Sequence, residues 1–180
     1  VLRTITDPGD EVILPLPYYF NQEMAIRMLN CIPVTVPTDA SYQLQLDGLR
    51  IAITEKTRAI VTVSPNNPSG AVYPEKALRA VNQLCKEYGL YHISDEAYEY
   101  FTYGGVKHFS PGSILGSEPH TISLFSLSKA YGFASWRIGY LAGSQEIIKA
   151  TTTIQGHSTS NVCTFAQYGA VTALNSSQEG

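Results

Sequence analysis

Short apolar runs alternate along this chain with longer stretches in which apolar positions recur every three or four residues. The short runs suit strands buried on both faces, and the longer stretches suit amphipathic helices laid across them. Strands are predicted at Glu11 to Pro15, Val34 to Val36, Ala59 to Val63, Leu90 to Ser94, Thr121 to Phe125 and Ile138 to Ala142. Helices are predicted from Tyr19 to Leu29, about Leu46 to Ile53, Pro74 to Tyr88, Gln145 to Gln155 and about Val162 to Leu174. The third is the clearest: Pro74 suits the first helical position, Leu78, Val81, Leu84 and Cys85 make an apolar stripe, and Gly89 supplies the stop. The alternation predicts an α/β fold, a mostly parallel central sheet flanked by helices. No repeat or low-complexity tract interrupts it, and the Ser/Thr-rich stretch from Thr151 to Thr164 reads as a helix end, a loop and a new N-cap.

At 180 residues one buried core is expected. Val1 starts in what reads as the last turn of a helix before the Asp7-Pro8-Gly9-Asp10 turn, and Gly180 follows shortly after another, so the chain reads as an interior piece. A net charge of −3 offers no extended basic surface, which argues against nucleic acid as a partner. Neither a membrane-length apolar run nor a signal-peptide layout occurs in the sequence, so no membrane partner and a cytoplasmic location are expected. Cys31, Cys85 and Cys163 are too scattered for a disulfide framework, and the four histidines lack ligand spacing, so no metal site is expected.

In open α/β sheets ligands bind beyond the carboxyl ends of the strands, and three loops there carry chemistry. Ser64-Pro65-Asn66-Asn67-Pro68-Ser69-Gly70 is either a plain turn or a rigid frame holding an asparagine amide toward an anionic or phenolic oxygen. Asp95-Glu96-Ala97-Tyr98 offers a carboxylate that either caps a turn or pairs with a cationic ring nitrogen, with Tyr98 on the same face if a helical turn begins there. Ser126-Leu127-Ser128-Lys129 through Trp136-Arg137-Ile138-Gly139-Tyr140 collects an amine, two hydroxyls and a guanidinium. Lysine can form a Schiff base with an aldehyde, while serines and arginine can bind a phosphate dianion. An extended run of eight residues would carry Arg137 up to ~28 Å from Lys129, so a shared site requires the chain to double back.

Together these loops, with Pro8-Gly9-Asp10-Glu11-Val12-Ile13-Leu14 upstream, resemble the class I and II aminotransferases, which are fold-type I pyridoxal-phosphate enzymes. The resemblance covers nearly the whole chain. It implies that residues 1–180 are the central portion of the large cofactor domain. The upstream phosphate loop, part of the small domain and the C-terminal substrate arginine have no counterpart here, so the piece alone is expected to hold the cofactor incompletely. Lys129 is implied as the Schiff-base lysine and proton carrier, Asp95 as the partner of the pyridinium nitrogen, and Asn67 and Tyr98 as donors to the phenolic oxygen. Ser126, Ser128 and Arg137 are implied as phosphate ligands. Ala97 matches the small residue under one ring face and Tyr18 the aromatic on the other, with Tyr19 or Phe20 able to serve after a small register shift.

The activity implied is ping-pong transfer of an amino group from an amino acid to a 2-oxo acid, in a homodimer. Gly156-His157-Ser158 occupies a stretch where dicarboxylate-specific members carry an arginine, and the Pro17-to-Asn21 and Tyr98-to-Phe101 runs lean toward aromatic amino acids or methionine. A C–S or other eliminating lyase on the same fold, or a cofactor-binding regulator domain, is the alternative.

Overall fold

The computed structural model describes residues 1–178. Its strands are β1 (Glu11–Leu16), β2 (Ile32–Pro37), β3 (Thr57–Val63), β4 (Tyr91–Asp95), β5 (Thr121–Ser126) and β6 (Gly139–Ala142). They form one sheet in the order β2-β1-β3-β4-β5-β6, parallel throughout except for β6, which returns antiparallel on β5. The helices are α1 (Leu2–Ile5), α2 (Phe20–Met28), α3 (Leu46–Ile51), α4 (Glu75–Tyr88), α5 (Leu127–Ala130), α6 (Gln145–Ser158) and α7 (Thr164–Asn175). The fold is the expected α/β class. Among the described residues no helix is long and apolar enough to cross a membrane.

Helices cover both faces of the sheet, which explains why its strands read as continuous apolar runs. Successive side chains of a strand point to opposite faces. Val12, Leu14, Ala59 and Val61 accordingly join Ile26 of α2 and Ile147 of α6 in one core layer. Ile13 and Ile60 point the other way and pack with Leu49 of α3 and Val81, Leu84 and Cys85 of α4. The order of connection reverses between β1 and β3, leaving a crevice at the carboxyl edge where neighbouring loops diverge.

Several boundaries differ from the sequence reading for local reasons. Pro74 is the N-cap of α4 and not its first helical residue, because its ψ of 152° is extended. Gly89 does end that helix, in the left-handed region at φ 66°, with its N–H on the Cys85 carbonyl. Helix α6 runs past Gln155 to Ser158, whose hydroxyl donates back to the Ile154 carbonyl at 2.7 Å. Strand β4 takes in Asp95, which pairs with Val63 on one side and Leu124 on the other. The single turn of α5 and the short 3-10 turns at Pro111–Ser113 and Ala134–Trp136 are too short to show a periodicity.

Candidate active site

A cavity of about 280 Å³ at the carboxyl edge is lined by Tyr19, Val63, Asn67, Asp95, Ala97, Tyr98, Ser126, Ser128, Lys129, Ala134 and Arg137. The backbone fixes this convergence. Ser64 N–H donates to the Asp95 carbonyl at 3.1 Å, and Glu96 N–H donates to the Leu124 carbonyl at 2.8 Å, so the ends of β3, β4 and β5 stay level. From β5 the chain doubles back as the spacing requires. Turn α5, Gly132 at φ 67° and Arg137 at φ 57° reverse it, and Leu127 N–H then meets the Ile138 carbonyl at 3.2 Å. Lys129 and Arg137 thereby face one cleft.

Asp95 is the best-held group in it. Its Oδ1 accepts from Ala97 N–H at 3.2 Å and its Oδ2 from the Gln22 amide at 3.1 Å. Burial pushes its carboxyl above the usual range, the two donors pull it back, and the neighbouring Glu96 adds a smaller upward push. A cationic partner at the carboxylate would oppose that burial and favour the ionised form. Asn67 Nδ2 donates to the Tyr98 hydroxyl oxygen at 3.4 Å, so the amide and the phenol stand side by side at the cleft. Lys129 Nζ stands over the Tyr98 ring, 5.4 Å from its centroid. Ser126 caps α5, its Oγ accepting from Ser128 N–H at 3.2 Å, which leaves the hydroxyl proton available to an anion.

Eight of the nine residues singled out in the sequence line this cavity: Asn67, Asp95, Ala97, Tyr98, Ser126, Ser128, Lys129 and Arg137. Tyr18 does not. Its hydroxyl donates to Glu23 at 2.6 Å and its ring packs against the core, while Tyr19 faces the cleft with its hydroxyl accepting from Asn21 at 2.7 Å. The cause is the extended backbone leading into α2, with Tyr19 at ψ 120°, where adjacent side chains point apart. Gln22 was missed altogether. It stands 73 residues from Asp95 in sequence, and no local motif announces the contact.

A doubly covered sheet with an amine, a carboxylate and an anion-binding set beyond the carboxyl ends of its strands defines the class of an α/β protein built around a carbonyl-bearing, phosphorylated ligand. The class I and II aminotransferase family model matches residues 1–180, and the chain belongs to that family. It is 44% identical over 177 residues to a probable aspartate/prephenate aminotransferase of Aquifex aeolicus, covering 97% of this chain and 45% of that protein. It is 41% identical over 182 residues to an aspartate aminotransferase of Bacillus subtilis, covering 99% and 46%. Among solved structures, Thermus thermophilus aspartate aminotransferase with maleate superposes with a TM-score of 0.93 at 39% identity, over 97% of this chain and 45% of that one. An aromatic aminotransferase from Pyrococcus horikoshii gives 0.95 at 34% identity, over 98% and 48%. The chain thus spans slightly under half the length of these relatives.

Pyridoxal phosphate is the cofactor of this family, and the donor set of the cleft fits it. An amine stands where an aldehyde needs one, a carboxylate suits a protonated ring nitrogen, and an amide and a phenol suit an anionic ring oxygen. Two hydroxyls and a guanidinium match a phosphate. Ala97 and Tyr19 offer a small and an aromatic surface for the ring faces.

Proposed function

We propose that this chain is the central portion of the cofactor-binding large domain of an aminotransferase that moves an amino group from an amino acid to a 2-oxo acid by a ping-pong route. The observation that carries the reading is the convergence of Lys129, Asp95, Asn67, Tyr98, Ser126, Ser128 and Arg137 on one cleft from three separate loops. Bound pyridoxal phosphate supplies an electron sink for the carbanion formed at the substrate's α-carbon. In this proposal Lys129 holds the cofactor through its Nζ and, once released, moves the proton between the substrate and cofactor carbons. Asp95 keeps a proton on the ring nitrogen by its charge, with Gln22 and Ala97 N–H orienting it. Asn67 and Tyr98 donate to the ring oxygen, and Arg137 with Ser126 and Ser128 binds the phosphate. We further propose a homodimer in the cytoplasm.

Two substrate readings each have support. The relatives at 44% and 41% identity are named for aspartate, one of them also for prephenate. Against that, Tyr98, Phe101, Tyr103 and Val106 wall an apolar cavity of about 650 Å³ beside Asn67, which suits an aromatic side chain or methionine. The test is to load the whole protein with pyridoxal phosphate and offer aspartate, phenylalanine or methionine with 2-oxoglutarate. Glutamate is expected from one of them, and the visible band of the lysine-bound cofactor is expected to vanish in Lys129→Ala. Ammonia, pyruvate and a thiol from an added S-alkylcysteine, without glutamate from any amino acid offered, would place the protein with the eliminating enzymes instead.

A further inference from the structure

Glu96, one residue beyond Asp95, is fully buried at 0% exposure, and the cleft does not use it. Its side chain turns away from Asp95 and is gripped from a later part of the chain. Oε2 accepts from His108 Nε2 at 2.7 Å and Oε1 from the Ser110 hydroxyl at 2.9 Å. Glu96 N–H is tied to the Leu124 carbonyl at 2.8 Å and its carbonyl accepts from Glu99 N–H at 3.0 Å, so all of its polar groups are engaged. Between the two ends of this grip the chain makes an excursion without regular structure. Residues 97–107 hold themselves by turns, such as Phe101 N–H on the Tyr98 carbonyl at 2.8 Å. That excursion carries Tyr98, and Asp95 lies two residues before its start. A buried carboxylate stripped of one donor must find another or move, and the backbone on either side moves with it.

The geometry points to the Glu96, His108 and Ser110 cluster as a positioning device for Asp95 and Tyr98. By pinning the far end of the 97–107 excursion to the end of β4, it holds the carboxylate and the phenol at the separation the cofactor ring requires. His108 and Ser110 touch nothing in the cleft; they act through Glu96. The inference rests on the cofactor reading above.

The test uses the whole protein in three forms: unsubstituted, His108→Ala and His108→Gln, whose amide can present an N–H where Nε2 sits. Two quantities are read: the amide exchange rates of residues 97–101 without cofactor, and the dissociation constant for pyridoxal phosphate from its visible absorption. His108→Ala is expected to speed the exchange and weaken cofactor binding by about tenfold each, and His108→Gln to restore most of both. If His108→Ala leaves either quantity unchanged, or His108→Gln restores neither, the positioning role is overturned. Should His108→Ala fail to fold, Ser110→Ala replaces it, with both effects expected at about threefold and an unchanged value of either again decisive against the role. An unsubstituted protein that binds no cofactor would instead overturn the cofactor reading, while the exchange rates still report on the grip.

Discussion

Asp95 is held by opposed forces: burial raises its carboxyl, and the Ala97 N–H and the Gln22 amide lower it. A carboxyl raised on folding contributes stability that is complete below the unfolded value of 3.8 and lost as pH rises through the folded one. Gln22→Leu removes one of the lowering donors, so the apo form of Asp95 should titrate at still higher pH, visible in its carboxyl carbon shift by NMR. Cofactor affinity should fall about tenfold, because a hydrogen bond to a charged group contributes roughly 1.5 to 3 kcal/mol. An unmoved Asp95 titration in that variant would mean that the contact does not act on the carboxylate. His92 shows the opposite sign. Sealed between the Thr62 hydroxyl at 2.8 Å and the Asn82 amide at 3.2 Å, it is pushed down to about 3, chiefly by burial, with His120 adding to it. The unfolded chain therefore binds the extra proton first, and stability is complete above about 6.5 and lost as pH falls toward 3. In His92→Gln the melting temperature should vary less across that interval. An unchanged acid dependence would assign the loss to other groups.

At the scale of elements, the antiparallel return of β6 beside β5 places Ser126 opposite Gly139 and brings Arg137 back toward Lys129. Gly139 is required there by space: an added Cβ would come within 2.7 Å of the Phe125 carbonyl oxygen, a backbone atom that cannot step aside. Gly139→Ala should cost about 1 to 3 kcal/mol of stability and weaken phosphate-dependent cofactor binding, measurable by denaturant unfolding and absorbance titration. Gly156, inside α6 with nothing within 4 Å of its added Cβ, is the contrast, and Gly156→Ala should stabilise by roughly 0.5 to 1 kcal/mol. Equal effects at the two glycines would remove the steric argument. The strands and long helices were legible in the sequence because each buries a continuous face. Val12 to Leu14 and Ala59 to Val61 are apolar on both sides of the sheet, and Leu78, Val81, Leu84 and Cys85 repeat at helical spacing. Turn α5 and the 3-10 turn at Ala134–Trp136 escaped that reading, since their conformation is set by the return of the chain from β5 to β6 and not by any period of their own.

For the molecule as a whole, the site was legible where its residues come in local clusters and hidden where they come from a distance. Asn67, Asp95 and Lys129 sit in or beside strand ends that a linear reading can locate. Gln22 reaches Asp95 from α2, and Tyr19, not Tyr18, lines the cleft through the direction of a single extended residue. Another property belongs only to the whole. Helix α7 buries Ala166 and Ala170 against Leu127 and Ile138, yet leaves Phe165 at 70%, Tyr168 at 73% and Val171 at 57% exposure on its other faces. An apolar helix face left in water is stabilised when covered, and burying such side chains yields about 25 cal/mol per Å². Residues 1–180 prepared alone should therefore self-associate, with sedimentation coefficients rising with concentration. Phe165→Glu together with Tyr168→Glu should restore the monomer without altering far-ultraviolet circular dichroism, since both side chains are mostly exposed and Phe165 gives up only an edge contact with Trp136. If the unsubstituted chain stays monomeric at every concentration, this face is not the adhesive one. If the double variant associates as strongly, the exposed stripe of α2 formed by Phe20, Met24 and Met28 becomes the surface to change next, since those side chains recur one helical turn apart and are also exposed.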